Sequence, residues 1–187
     1  MKTSNPGPLG LFGFATTTIL LNLHNVGLIN KSSVILAMAV ALGGLAQIIA
    51  GIFEFKKENT FGATAFSAYG LFWFSLLLIW INPFKGIVDA SKTDMGWYLT
   101  LWAMFTFVMF IGALKHDVAT RIVFGSLTFL FVLLALADFT NDESITHIAG
   151  IVGIFVGCSA FYSASAQIIN GEFGREIVPR GGTKPNV

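Results

Sequence analysis

The reactive potential of this chain resides in hydrogen-bonding side chains set into apolar sequence. The densest run lies between Phe14 and Asn25, where Thr16, Thr17, Thr18, Asn22, His24 and Asn25 interrupt leucine, isoleucine and alanine. At about 100° per residue, Phe14, Thr18, Leu21 and Asn25 share one narrow helical face, flanked by Thr17 and His24 on one side and Asn22 on the other. A helix that meets only lipid has no use for so many polar side chains, so this face belongs to the protein interior or to a wet path. Further donors follow at Gln47, Thr64, Ser67, Tyr69, Ser126, Thr128, Ser159, Tyr162 and Ser163. Hydroxyls and amides replace part of the water shell of an oxyanion and let it go again, so a path lined by them suits a small carboxylate.

Catalysis finds little footing. His24, His116 and His147 are not spaced with Cys, Asp or Glu as a metal site requires, and neither a Gly-rich phosphate loop nor G-x-S-x-G nor H-E-x-x-H occurs. No enzyme activity, metal or cofactor is therefore expected. The acidic residues Glu54, Asp89, Asp94, Asp117, Asp138 and Glu172 all fall at span ends or in connections. A proton-coupled carrier commonly holds an ionisable group at mid-depth. Only His24, in the outer third of its span, comes near that position. It is the one candidate for a proton-linked role, against a plain reading as a neutral histidine bonded to a neighbouring helix.

These side chains need a membrane scaffold. The 187 residues are 55% hydrophobic and only 11% charged, about half the charge of a soluble domain. Mean hydropathy is +0.75. Six spans are expected, Pro8 to Leu28, Val34 to Phe53, Phe61 to Ile81, Gly96 to Leu114, Val118 to Ala137 and Ile145 to Ile169, each near the ~20 residues that cross a hydrocarbon core. The chain reads as one transmembrane domain, with residues 1–7 an N-terminal segment, 8–169 the core and 170–187 a tail. The first apolar segment lacks a charged leader and a small-residue cleavage site, so it is expected to remain as a span. A net charge of +1 leaves no basic patch for nucleic acid, and the single Cys158 excludes an internal disulfide.

Basic residues orient the spans. Lys2, Lys56, Lys57, Lys115, Arg121, Arg175, Arg180 and Lys184 fall on the side shared by both termini, against Lys31, Lys85 and Lys92 opposite. Both termini are expected in the cytoplasm. Trp80, Trp97 and Tyr98 flank the one roomy connection, Asn82 to Met95, and read as an outer interfacial belt. Phe12-Gly13, Phe61-Gly62 and Phe124-Gly125 recur near the start of each odd-numbered span, followed by Thr16, Thr64 and Thr128. This weak repeat predicts three helix hairpins around a central path. Phe14, Tyr69 and Leu127 then reach similar depth and are the candidate constriction. Thr17, Thr18, Asn22, Asn25, Gln47, Thr64, Ser126, Thr128 and Tyr162 are the candidate pore lining.

The first span opens on Asn5-Pro6-Gly7-Pro8-Leu9-Gly10-Leu11, where Asn5 is expected to cap and the prolines suit a first turn whose N–H groups lack partners anyway. That run, the following Gly13-Phe14-Ala15-Thr16-Thr17, and Leu21-Asn22-Leu23-His24-Asn25-Val26-Gly27 strongly resemble the signature of the acetate uptake transporter family, the succinate-acetate permeases. The likeness continues through Gly43-Gly44-Leu45-Ala46-Gln47, Lys57-Glu58-Asn59-Thr60-Phe61-Gly62 and Phe173-Gly174-Arg175, and so covers nearly the whole chain. Gly7 stands where the family signature has alanine. The resemblance implies transport of acetate and similar small carboxylates, with succinate a candidate, in the plasma membrane, or the inner membrane of a Gram-negative source. It implies a ring of six protomers, each with its own pore. It also implies that Phe14, Tyr69 and Leu127 match the family's hydrophobic constriction, and that Ala160 matches a position influencing substrate size. A channel, a proton-coupled carrier and a membrane scaffold or acetate sensor all remain open readings.

Overall fold

The computed structural model describes residues 4–182. Lys2 and Lys184, two of the basic residues used to orient the spans, lie outside the described residues. Six long helices follow in order: α1 Gly7–Asn25, α2 Ser33–Lys56, α3 Thr60–Ile81, α4 Lys92–Ala113, α5 Val118–Thr140 and α6 Glu143–Phe173. No strand occurs among the described residues. Helices α2 to α6 are each long and apolar enough to cross a membrane. Helix α1 has 19 residues, about 28 Å at 1.5 Å per residue, and packs between α2 and α6 with its apolar sequence diluted by glycine, threonine and asparagine.

Local chemistry sets the helix limits. Pro6, not Asn5, holds the cap position of α1, and Asn5, one residue before it, accepts from the Gly7 N–H at 3.1 Å through its carboxamide oxygen. Asn59 accepts from Gly62 N, and Asp117 from Thr120 N at 2.9 Å, at the starts of α3 and α5. Ser91 and Asp94 form a reciprocal capping box that starts α4 at Lys92, four residues before the expected Gly96. Asn82 and Asn141 end α3 and α5 in the left-handed region, at φ 41° and 53°. Helix α1 stops at Asn25, short of Leu28. Helix α6 runs past Ile169 to Phe173, so the first four residues read as tail are helical.

Going round the bundle, the helices follow chain order, and α6 returns to α1. The three hairpins α1–α2, α3–α4 and α5–α6 therefore enclose a central cavity, with the N-termini of α1, α3 and α5 at one end. The backbones of α1 and α6 approach closely because Gly150, Gly153 and Gly157 leave room. A Cβ on Gly153 would strike the Asn22 amide, and one on Gly157 would meet Ile19 and the Ala15 carbonyl. Gly13 faces the Leu42 carbonyl of α2 with no space for a methyl. Here α2 changes character: Ala39–Ala46 is a π-helical stretch between two α-helical halves.

The α3–α4 seam has the loosest backbone contact and is closed by side chains. Tyr69 donates to Thr106 Oγ1 at 3.0 Å, and the Ser75 and Tyr98 hydroxyls share a 2.6 Å hydrogen bond. Tyr98 therefore does not serve in the outer belt: its ring stacks on Phe72 at 5.9 Å. Trp97 is exposed and packs edge-on against Phe139, and Trp80 lies under the Lys31 ammonium at 4.8 Å. Cys158 is exposed on α6.

Basic-residue placement makes a labelling prediction. In a Cys158→Ser background, cysteine at Arg175 should react with a membrane-impermeant maleimide only from the cytoplasmic face, and cysteine at Lys92 only from outside. Reaction of both from one face would exclude the three crossings placed between them and, with them, the assigned orientation.

Candidate functional site

The three helix N-termini converge on a cavity of about 220 Å³. Its mouth is polar, walled by Asn5, Lys57, Asn59, His116, Thr120, Gln167 and Arg180, and its inner wall carries Leu11, Phe14, Phe61, Ala65, Tyr69, Val123, Phe124 and Leu127. Each helix start turns the partial positive end of its dipole toward this cavity, which favours anions, although caps at Asn5, Asn59 and Asp117 already take up some of its N–H groups. The fixed charges on its wall are Lys57 and Arg180 against Glu54.

The three residues read as a constriction meet here. Phe14, Tyr69 and Leu127 are 7%, 4% and 3% exposed and all line the cavity. The Phe14 and Tyr69 rings lie 6.0 Å apart. Tyr69 is fixed from behind: its hydroxyl bonds to the fully buried Thr106, and its ring packs on Phe105, Trp102 and Phe124 at 5.5, 6.1 and 6.2 Å. Beyond it, Phe72 packs edge-on against Trp102 at 5.0 Å and Phe131 at 5.3 Å, continuing the bundle interior as an aromatic layer.

The donors read from the sequence distribute differently. Gln47 lines the cavity, 1% exposed, with its amide nitrogen donating to the Gly43 carbonyl at 2.7 Å. Thr17 is fully buried in the α1–α2 contact, donating to the Gly13 and Met38 carbonyls. Thr18 and Asn22 are buried farther along α1, and the Thr18 hydroxyl has no partner among the described residues. Asn22 donates to the Thr18 carbonyl and accepts from Asn25 at 3.0 Å. Thr64, half-buried, is not in the cavity wall. Ser126 and Thr128 bond back to their own helix, at the Ile122 and Phe124 carbonyls. Ala160 is fully buried on α6. Tyr162 is 43% exposed and donates to the Pro179 carbonyl, outside the cavity wall. His24 sits in the last turn of α1, its Nδ1 3.1 Å from the Ile29 carbonyl, remote from the cavity residues.

Sequence reasoning missed most of the mouth. Glu54, assigned only to a span end, is 3% exposed, accepts from Asn59 at 2.7 Å and pairs with Lys57 at 3.7 Å. Thr120 and Gln167 were not singled out, His116 was read only as an unclustered histidine and Arg180 only as an orienting charge; Thr106, behind the inner wall, was missed as well. Their signal is weak: a lone threonine in apolar sequence, and polar residues at helix ends where polarity is ordinary. Among the described residues no cluster of His, Cys, Asp and Glu is able to hold a metal ion.

The closed round of six helices and the cavity at its centre define a multi-pass helical membrane protein. More particularly, the chain belongs to the GPR1/FUN34/yaaH family, whose model matches residues 1–178. It is 49% identical over 181 residues to the succinate-acetate/proton symporter SatP of Escherichia coli K12, covering 96% of each chain. It is 40% identical over 176 residues to the ammonia transport outward protein 2 of Saccharomyces cerevisiae, covering 89% of this chain and 62% of that one. A solved structure described as the bacterial acetate channel SatP superposes with a TM-score of 0.94 at 48% identity, covering 96% of this chain and all of that one.

The Tyr69–Thr106 bond is the joint that fixes the inner wall to α4. Tyr69→Phe is expected to cost about 1 kcal/mol, read as a lower thermal midpoint in detergent. Thr106→Val should do the same, and the double variant should lose little more than either alone. Fully additive losses would show that the two side chains are not coupled.

Proposed function

We propose that the chain passes acetate and similar small carboxylates across the plasma membrane through the centre of each protomer, in channel-like fashion, as a single transmembrane unit that assembles as a ring of six. The observation that carries this reading is the cavity itself: three helix N-termini, Lys57 and Arg180 surround a mouth whose inner wall narrows onto Phe14, Tyr69 and Leu127. The mouth concentrates small anions, and the dry trio sets what passes by size and by the cost of dehydration. Gln47 supplies an amide at that level, and Thr18, Asn22 and Asn25 continue a polar strip along α1 toward the opposite face. Ala160 leaves room beside α1. The relatives named for acetate and succinate support the substrate class.

The gate assignment predicts a change in selectivity. Leu127→Ala removes bulk and a dewetting surface, so flux of carboxylates larger than acetate, succinate included, should rise several-fold relative to acetate. Correctly folded Leu127→Ala, Phe14→Ala and Tyr69→Ala proteins with unaltered profiles would move the gate elsewhere.

A proton-coupled carrier is the second reading, favoured by the name of the Escherichia coli relative. Labelled acetate flux into liposomes holding only this protein, with and without an imposed pH gradient, separates the two. Channel-like passage should follow the acetate gradient and the supply of permeant form, governed by a carboxylic pKa of about 4 to 5. His24→Gln keeps hydrogen-bonding capacity without an imidazole's titration, and should preserve flux and the shape of its pH profile. Loss of only the proton-gradient response in that variant would make His24 the coupling residue. Binding of acetate without flux would favour the sensor or scaffold.

A further inference from the structure

Residues 174–182 leave the end of α6 and fold back over the start of α5 through specific contacts. Gly174 turns the chain at φ 62°. Asn170, in the last turn of α6, uses its carboxamide three times: the oxygen accepts from Ile177 N and Val178 N at 2.7 and 2.9 Å, and the nitrogen donates to the Val178 carbonyl at 2.8 Å. Two turns earlier, Tyr162 donates its hydroxyl to the Pro179 carbonyl. The Val118 and Ala119 N–H groups, which a helix start leaves without intrahelical partners, donate to the carbonyls of Gly181 and Arg180 at 3.3 and 3.1 Å.

This strap delivers a charge to the cavity. Arg180 lines the mouth beside His116 and Thr120. Its Nη2 pairs with Asp117 Oδ2 at 2.6 Å, while its buried Nε–H has no partner among the described residues. A guanidinium carries five N–H donors in a planar fork, so one contact with Asp117 fixes its direction and leaves donors to spare. Lys57, the other cation of the wall, is already engaged by Glu54 at 3.7 Å and Asn5 at 3.5 Å.

We propose that Arg180 is the capture point for the permeant carboxylate at this mouth, and that the folded-back segment holds it in position. The inference rests on the permeation reading and adds to it a residue with a kinetic role. Asp117 both aims the guanidinium and moderates its charge, which keeps the captured anion exchangeable. An Arg180 that only fastened the strap to α5 would affect stability alone.

The test uses full-length protein in liposomes, with initial rates of labelled acetate entry measured against concentration. Arg180→Gln should raise the half-saturating acetate concentration about three- to ten-fold at low ionic strength, with the difference shrinking at high salt because the site is partly exposed. Arg180→Lys should recover part of the loss. Asn170→Ala and Tyr162→Phe, which loosen the strap and keep the charge, should shift the same way, and Asp117→Asn should shift the opposite way. A lower thermal midpoint in Arg180→Gln with unchanged half-saturation and salt dependence would overturn the assignment. Ligand-observed NMR of acetate binding in detergent gives a second readout, in which Arg180→Gln should weaken binding by a similar factor. Unchanged binding defeats the role of Arg180, whereas absent flux in the wild-type protein with Arg180-dependent binding defeats permeation only.

Discussion

A helix that brings threonine and asparagine into a bilayer keeps its place when those side chains find partners, and α1, the Thr18 hydroxyl excepted, meets that demand while lying almost against its neighbours' backbones. Gly13 admits the Leu42 carbonyl, Gly153 admits the Asn22 amide, and Gly157 admits the Ala15 carbonyl. At that distance Thr17 bridges the Gly13 and Met38 carbonyls, and Asn22 and Asn25 bond along α1. The rest of the ring is built outward from this wedge. Its depth sets the depth of Phe14, and with it the level at which Tyr69 and Leu127 come together.

The two levels of the cavity divide the physical work. At the mouth, helix ends and partly exposed charged side chains act through water, where their fields are screened and their hold on an ion is weak. Around Tyr69 the surroundings change to packed aromatic rings, where an anion without its hydration shell is expensive and only a few donors are within reach. In the permeation reading proposed above, selection by size and polarity falls to the inner level and abundance at the entrance to the outer one.

Much of the architecture was legible because lipid imposes it. Six apolar stretches and short connections led to the six helices directly, and equal depth in three hairpins brought Phe14, Tyr69 and Leu127 to one cavity wall. Ser126 and Thr128 were harder to judge, since a hydroxyl in a helix serves equally well by bonding back to its own carbonyls, and Tyr162 gives its hydroxyl to the returning tail at Pro179; periodicity does not say which partner is taken. Tyr98 was read as an interfacial anchor because it adjoins Trp97, but the loose α3–α4 seam leaves a space that its ring fills. The mouth was least visible. Glu54 and Arg180 lie far apart in sequence, and their place on one cavity wall depends on where α2 ends and on a tail that turns back, neither of which leaves a periodic trace.

The π stretch in α2 bears on how this sequence tolerates changes in length. A π turn holds more residues than an α turn over a similar advance along the axis, so Ala39–Ala46 carries slack that a regular helix lacks. Removing a residue within it allows the stretch to tighten toward α geometry, with Ile35 and Gln47 still facing their former neighbours. The same deletion in the middle of α5, which has no such reserve, turns every later side chain by about 100° and carries Leu130 and Phe131 off the bundle interior. Substitutions show the reverse sensitivity in α2. There Gly43 and Gly44 lie under the rings of Trp73 and Phe74, where even a methyl group forces the aromatic side chains to move.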